Sequence, residues 1–254
     1  MFLFKTGMAA AIILFGVGSA YAGRIIVNHD EWTFSSTGYS SAGAANADQF
    51  AANVLDFLSN GAGTDVLVYS DNTLLTNTDF DNSANAAGYT LTKGTASPFT
   101  LANLSLYDVV VLGGYYLNAA EVTDLTAYVN NGGGVYLAGG SGVGGPAVEA
   151  AAWNPFLNTF GFSFAPVYNG VIGTLAVNQS HPVESGVSQL YYNNGNTISL
   201  VGANPYASII ESSGGGAGLL GVYDDVGATA VPEPSMYTML GAGLGLILFA
   251  RVRR

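Results

Sequence analysis

Apolar residues along this chain keep two rhythms, and the change between them falls near Gly161. Before it, short continuous apolar runs alternate with segments of helical spacing. Arg24–Asn28 (RIIVN) is β-branched and reads as a first strand. Gly38–Gly43 reads as a loop. From Ala44 to Asn60 the apolar positions Phe50, Val54, Phe57 and Leu58 share one helical face, and Gly61 ends the helix. Asp65–Tyr69 (DVLVY) reads as a second strand, and its unbroken apolar character predicts burial on both faces. A weaker helix, Asp79–Ala87, stops at Gly88 and leads into Tyr89–Thr92.

The clearest unit follows. Tyr107–Leu112 (YDVVVL) is a strand ending in Gly113-Gly114, and Asn118 caps a helix through Asn130 whose apolar face is Val122, Leu125 and Val129. Asn131–Gly134 ends that helix, and Val135–Ala138 (VYLA) is the next strand, ending in Gly139-Gly140. Strand, helix and strand at this spacing predict a right-handed parallel crossover. A further helix covers roughly Ala147–Phe160.

After Gly161 the period shortens. Phe162–Ala165, Thr174–Val177, Thr197–Val201, Ala207–Glu211 and Leu219–Tyr223 read as short strands, with a turn at Asn193–Gly195. The pattern predicts an α/β fold over residues 23–226, with a mostly parallel sheet, flanking helices and a β-rich C-terminal portion. Residues 227–254 are set apart as a linker and tail.

The two ends read as processing signals. Met1–Ala22 has Lys5, an apolar stretch from Met8 to Val17, and a small-x-small site at Ala20-Tyr21-Ala22, the pattern of a signal peptide removed by signal peptidase. At the other end, Pro232-Glu233-Pro234 precedes an uncharged run, Met236–Ala250, and then Arg251, Arg253 and Arg254. Fifteen residues make about 23 Å of helix, against the roughly twenty residues of a comfortable span, so this transmembrane segment is a marginal anchor. The arginines belong on the cytoplasmic side.

The tripeptide, apolar run and arginine cluster together closely resemble the PEP-CTERM sorting signal of Gram-negative bacteria. The resemblance implies export, an inner-membrane intermediate, cleavage near the motif by an exosortase-type enzyme, and delivery to the cell surface or extracellular matrix.

Charge changes the picture once both signals are set aside. Lys5, Glu233 and the three arginines go with them, leaving Arg24 and Lys93 against sixteen acidic residues, a formal charge of −14. Such a body is a poor partner for nucleic acid, which is bound by clustered Lys and Arg. It suits a secreted protein that meets cations or neutral glycans. Charged residues make up only 9%, against about a quarter usually, and the absence of cysteine excludes disulfides and thiol catalysis.

The body resembles the class I glutamine amidotransferase-like, flavodoxin-like group, in particular its noncatalytic or trehalose-utilisation-type relatives. The matching stretches are Tyr107–Gly114, the helix opening at Asn118, Asn130–Gly140 and Ser180–Val187 (SHPVESGV). Active members place a cysteine on the turn after the strand matching Val135–Ala138. Here that turn is Gly139-Gly-Ser-Gly142, with glycine at the nucleophile position. The family's His-x-acid pair also fails, because Val183 stands two places after His181 and Glu184 is one out of step. The resemblance therefore implies a noncatalytic domain.

Candidate chemistry gathers at the strand ends. His29, Asp30 and Glu31 follow the first strand, at the carboxyl edge where open α/β sheets bind ligands, and Gly113, Gly114 and the turn bearing Ser141 end strands at the same edge. Asp30 and Glu31 could form an acid/base pair, or cap the loop while Trp32 covers the core. Ser141 as nucleophile needs a base, and His29 and His181 are the only histidines. Gly139–Val143 also lacks the last glycine of a serine elbow. Asp71-Asn72, Asp79, Asp81-Asn82 and Asp224-Asp225 offer oxygen ligands for calcium without the spacing of a calcium loop. Tyr115, Tyr116, Tyr191 and Tyr192 could stack on sugars.

The leading expectation is an exported, noncatalytic binding or structural protein of an exopolysaccharide or biofilm matrix, with no required cofactor. The alternative is a secreted hydrolase, which requires His29, Asp30, Glu31, Ser141 and His181 to converge.

Overall fold

The parallel strands inside the sheet of this protein bury alternate residues into two different cores. In a computed structural model describing residues 23–61 and 63–225, the elements in chain order are β1 (Arg24–Asn28), α1 (Ser36–Ala42), α2 (Ala44–Ser59), β2 (Asp65–Tyr69), α3 (Thr78–Ala86), β3 (Thr90–Lys93), α4 (Leu101–Leu104), β4 (Val109–Leu112), α5 (Ala119–Asn130), β5 (Gly134–Ala138) and α6 (Pro146–Leu157). The remainder is β6 (Phe162–Tyr168), β7 (Ile172–Ala176), β8 (Gln189–Asn193), β9 (Asn196–Leu200), β10 (Ala207–Ser212) and β11 (Gly218–Asp224).

The main sheet runs β3-β2-β4-β5-β1-β11-β9-β6, with β10 also paired to β11. The first five strands are mutually parallel, and β1 pairs antiparallel with β11. Ile26, Val66, Val68, Val109, Val111, Tyr136 and Ala138 face α1, α2 and α3. Ile25, Val27, Leu67, Val110, Leu112, Val135 and Leu137 face α5 and α6, where Trp153 and Phe156 are fully buried. The side-chain period of two divides β1, β2, β4 and β5 between the faces, and both faces are covered, as continuous apolar runs require.

Sequence and structure agree on the crossover: β4, α5 and β5 follow in order and the strands pair in parallel. Asn118 caps α5 in a full capping box with Glu121. The C-terminal portion is antiparallel, with β7 and β8 forming a separate two-stranded sheet.

Helix α4 and strand β8 were not read from the sequence, and other features depart from that reading. Gly38–Gly43 is not a loop, because α1 occupies Ser36–Ala42 with Ser35 as its cap. Gly38 is there for contact, not for flexibility: a Cβ would lie 2.2 Å from the Trp32 carbonyl oxygen. The run placed at Thr174–Val177 is β7, two residues earlier at its start and paired with β8, a strand the turn signals had obscured.

Candidate functional site at the carboxyl edge

The parallel strands β1, β2, β4 and β5 end at one edge, and the loops leaving them enclose two buried glutamates. Asn28 closes β1, its side-chain amide donating to Thr33 Oγ1 and Tyr136 Oη at 2.9 Å each. Its side-chain oxygen Oδ1 accepts from the Asp30 amide, forming the turn that carries His29, Asp30 and Glu31 inward. All three side chains are fully buried.

Asp30 serves the backbone. Its carboxylate accepts from the Trp32 amide (2.7 Å) and the Asn193 amide (2.6 Å), so it caps one loop and ties it to β8. His29 Nδ1 accepts from Asn169 Nδ2 at 3.0 Å, and the ring packs 4.9 Å from Tyr192. His29 Nε2 lies 3.0 Å from Asp30 Oδ2, out of line for a hydrogen bond.

Glu31 is different. One carboxyl oxygen accepts from Asn72, and the other, Oε1, has no hydrogen-bond partner among the described residues. Oε1 occupies the space a side chain at Gly113 would fill, 2.7 Å from the position of its Cβ. Burial, with Glu149 adding to it, pushes the Glu31 carboxyl up to about 8, against the weaker pull of Asn72. Glu31 therefore holds a proton at neutral pH.

The second glutamate was missed in the sequence. Glu149 lies in the first turn of α6, eight positions past Ser141, where it reads as an ordinary N-terminal charge. Its carboxylate accepts from the Gly140 amide (3.0 Å), the Ser141 amide (3.0 Å) and the Ser141 hydroxyl (2.7 Å). The turn after β5 is thus an anion nest, with Gly140 at φ +68°, and the chain's own carboxylate fills it. Burial raises the Glu149 pKa, while these hydrogen bonds hold it down. Asn196 of β9, also missed, braces the loop by accepting from Gly140 and donating to the Pro146 and Ala165 carbonyls. Tyr116 donates to the Val143 carbonyl and joins the two loops beside the glutamates.

The residues required for a serine hydrolase do not come together. The Ser141 hydroxyl is bonded to Glu149 and not to a histidine. His181 sits at the opposite, amino edge of the sheet, its ring 5.1 Å from Phe57. Its Nδ1 accepts from the Val183 amide, while Glu184 accepts from the Ser180 and His181 amides, so histidine and acid share a backbone cap. His181 therefore does not converge with His29, Asp30, Glu31 and Ser141, as the hydrolase reading required.

The calcium candidates are dispersed. Asp71 accepts from Thr95, Asp81 pairs with Lys93, and Asp224 pairs with Arg24. Among the described residues no three His, Cys, Asp or Glu side chains gather closely enough to hold a metal ion. Of the tyrosines considered for stacking, Tyr192 is buried beneath His29 and Tyr115 meets Tyr69 edge-on.

The model of the PEP-CTERM protein-sorting motif matches residues 230–254. The match indicates an exported protein sorted by exosortase. No curated protein matches the chain. Pro232, Glu233, Pro234, the 236–250 segment and the three arginines lie outside the described residues, as do Ala20 and Ala22. No helix among the described residues is long and apolar enough to cross a membrane.

Proposed function

We propose that this chain is a surface or matrix component of a Gram-negative bacterium. It is exported behind a signal peptide cleaved after Ala22, held briefly at the inner membrane by residues 236–250, and released by exosortase-dependent processing. Its body then acts without catalysis, as a binding or structural element of an exopolysaccharide or biofilm. The observation that carries the noncatalytic reading is the nest at Gly140 and Ser141. Amides that would otherwise receive a substrate oxyanion are occupied by Glu149.

The body is read as amidotransferase-like and flavodoxin-like. Strands β2 to β5 support this, since their order β3-β2-β4-β5 matches the first four places of the 2-1-3-4-5 arrangement. The fifth place is taken by β1, a permutation of the chain within the same sheet.

The delivery reading is tested by replacing Pro232-Glu-Pro234 with alanines in the native host. The account expects uncleaved protein retained in the cell envelope. Unchanged size and release would refute it.

One observation favours the alternative of a secreted hydrolase: Glu31 is a protonated carboxyl with an unpartnered oxygen beside Glu149. A pair of neighbouring carboxyl groups can serve as acid and base. Turnover of ester or glycoside substrates that disappears in Glu31→Gln would favour this reading, and absence of turnover would remove it.

A further inference from the structure

The amino edge of the sheet, opposite the two glutamates, carries a polar cleft of about 420 Å³, inside the range of about 300–1,000 Å³ typical of small-molecule sites. It lies where β1 begins and β11 ends, between the last turn of α2 and the turn at Pro182–Glu184. Arg24, one of two basic residues left in the body, is fixed at its wall. Nε donates to Asp224 (3.0 Å), Nη1 donates to the Phe57 carbonyl (2.9 Å) and to Asn60 Oδ1 (3.0 Å), and the guanidinium carbon stands 4.5 Å from the Phe57 ring centre. A fork held this way has lost its rotamer freedom in advance. The two N–H groups on Nη2 make no hydrogen bond among the described residues.

His181 supplies a second donor. Its Nδ1 accepts from the Val183 amide (3.3 Å), so the neutral ring carries its proton on Nε2. Burial lowers its pKa from the ordinary value, which favours that neutral ring. Asp56 adds an exposed carboxylate as acceptor. Arg24 is already paired with Asp224, and Asp56 adds a negative charge at the wall, on a body already near −14. An anionic ligand meets net repulsion there. Sugar hydroxyls donate and accept at once, and so match a wall that offers both.

We propose that this cleft binds a neutral saccharide, one or two rings of a glycan chain, with Arg24 Nη2 and His181 Nε2 as donors and Asp56 as acceptor. The proposal rests on the reading of the body as a glycan-binding matrix component and gives that reading a site. It is tested on the full chain in detergent by calorimetric titration with neutral tetrasaccharides (maltotetraose, cellotetraose, chitotetraose and mannotetraose), with trigalacturonate and inorganic phosphate as anionic probes. The expected result is saturable binding of at least one neutral tetrasaccharide, weakened at least tenfold in Asp56→Ala and in Arg24→Gln. Asp56 is exposed, so Asp56→Ala decides the matter if Arg24→Gln fails to fold. Neutral binding unchanged by Asp56→Ala overturns this site and leaves glycan binding standing. Binding of no neutral tetrasaccharide, or a preference for either anion, overturns the saccharide proposal, while release that still depends on Pro232–Pro234 leaves delivery standing.

Discussion

Ser141 and Glu149 are joined twice: the amide of Ser141 (3.0 Å) and its hydroxyl (2.7 Å) both donate to the same oxygen of Glu149. If that pair braces the β5–α6 loop, Ser141→Ala loses one hydrogen bond to a charged group and costs about 1.5–3 kcal/mol. Glu149→Ala leaves the Gly140 and Ser141 amides short of an acceptor and costs more. Urea denaturation of each variant measures both. Equal stability of Ser141→Ala and the parent would show that the hydroxyl is free for another task.

Stability should fall as pH rises. Burial lifts the Glu31 carboxyl from 4.5 to about 8. Glu184 is lifted to about 7 by burial and by the neighbouring Glu211. Each folded-state pKa lies above the unfolded value, so each contribution is complete below pH 4.5. It is lost as pH rises, through 7 for Glu184 and 8 for Glu31. The limiting slope is about 1.4 kcal/mol per pH unit for each group. Denaturation midpoints measured from pH 4.5 to pH 9 should decline and then level, and Glu31→Gln should flatten the upper part of the decline. A maximum near pH 8 would contradict the burial of both groups.

Close approach, not flexibility, fixes Gly195. A Cβ there would lie 1.7 Å from the His29 carbonyl oxygen, a backbone atom that cannot give way. Gly142, at φ +74°, has open space around it. Gly195→Ala should therefore cost more than about 3 kcal/mol, and Gly142→Ala only about 1–2 kcal/mol of left-handed strain. Thermal melts of the two variants rank them, and the reverse order would refute the packing of the His29 turn against β9.

Much of this was legible in the sequence, and the limits have physical causes. The unit from Tyr107 to Ala138 was readable because its signals are local: a continuous apolar run, an Asn cap, helical spacing and glycines. Asp30 as a loop cap was among the readings the residues allowed. Glu149 was not legible, since its partners Gly140 and Ser141 become partners only when α6 folds back over the turn. The position of β1 beyond β5 was hidden for the same reason, because strand pairing across more than a hundred residues leaves no local trace. His181 drew attention through a resembling motif, yet the fold carries its turn to the other edge of the sheet.

The sorting segment should be energetically separate from the body. Replacing Pro232–Pro234 by alanine is expected to leave the unfolding free energy of the body, measured in urea, within about 0.5 kcal/mol of the parent. A larger loss would mean that the tail contributes to the fold.

The central claim, delivery with both ends removed, is tested most directly by the intact mass of the protein recovered from the cell surface or matrix. The account predicts a chain that begins at Gly23 and ends at or near Pro232–Pro234. A mass that retains Met1 or extends to Arg254 would contradict it.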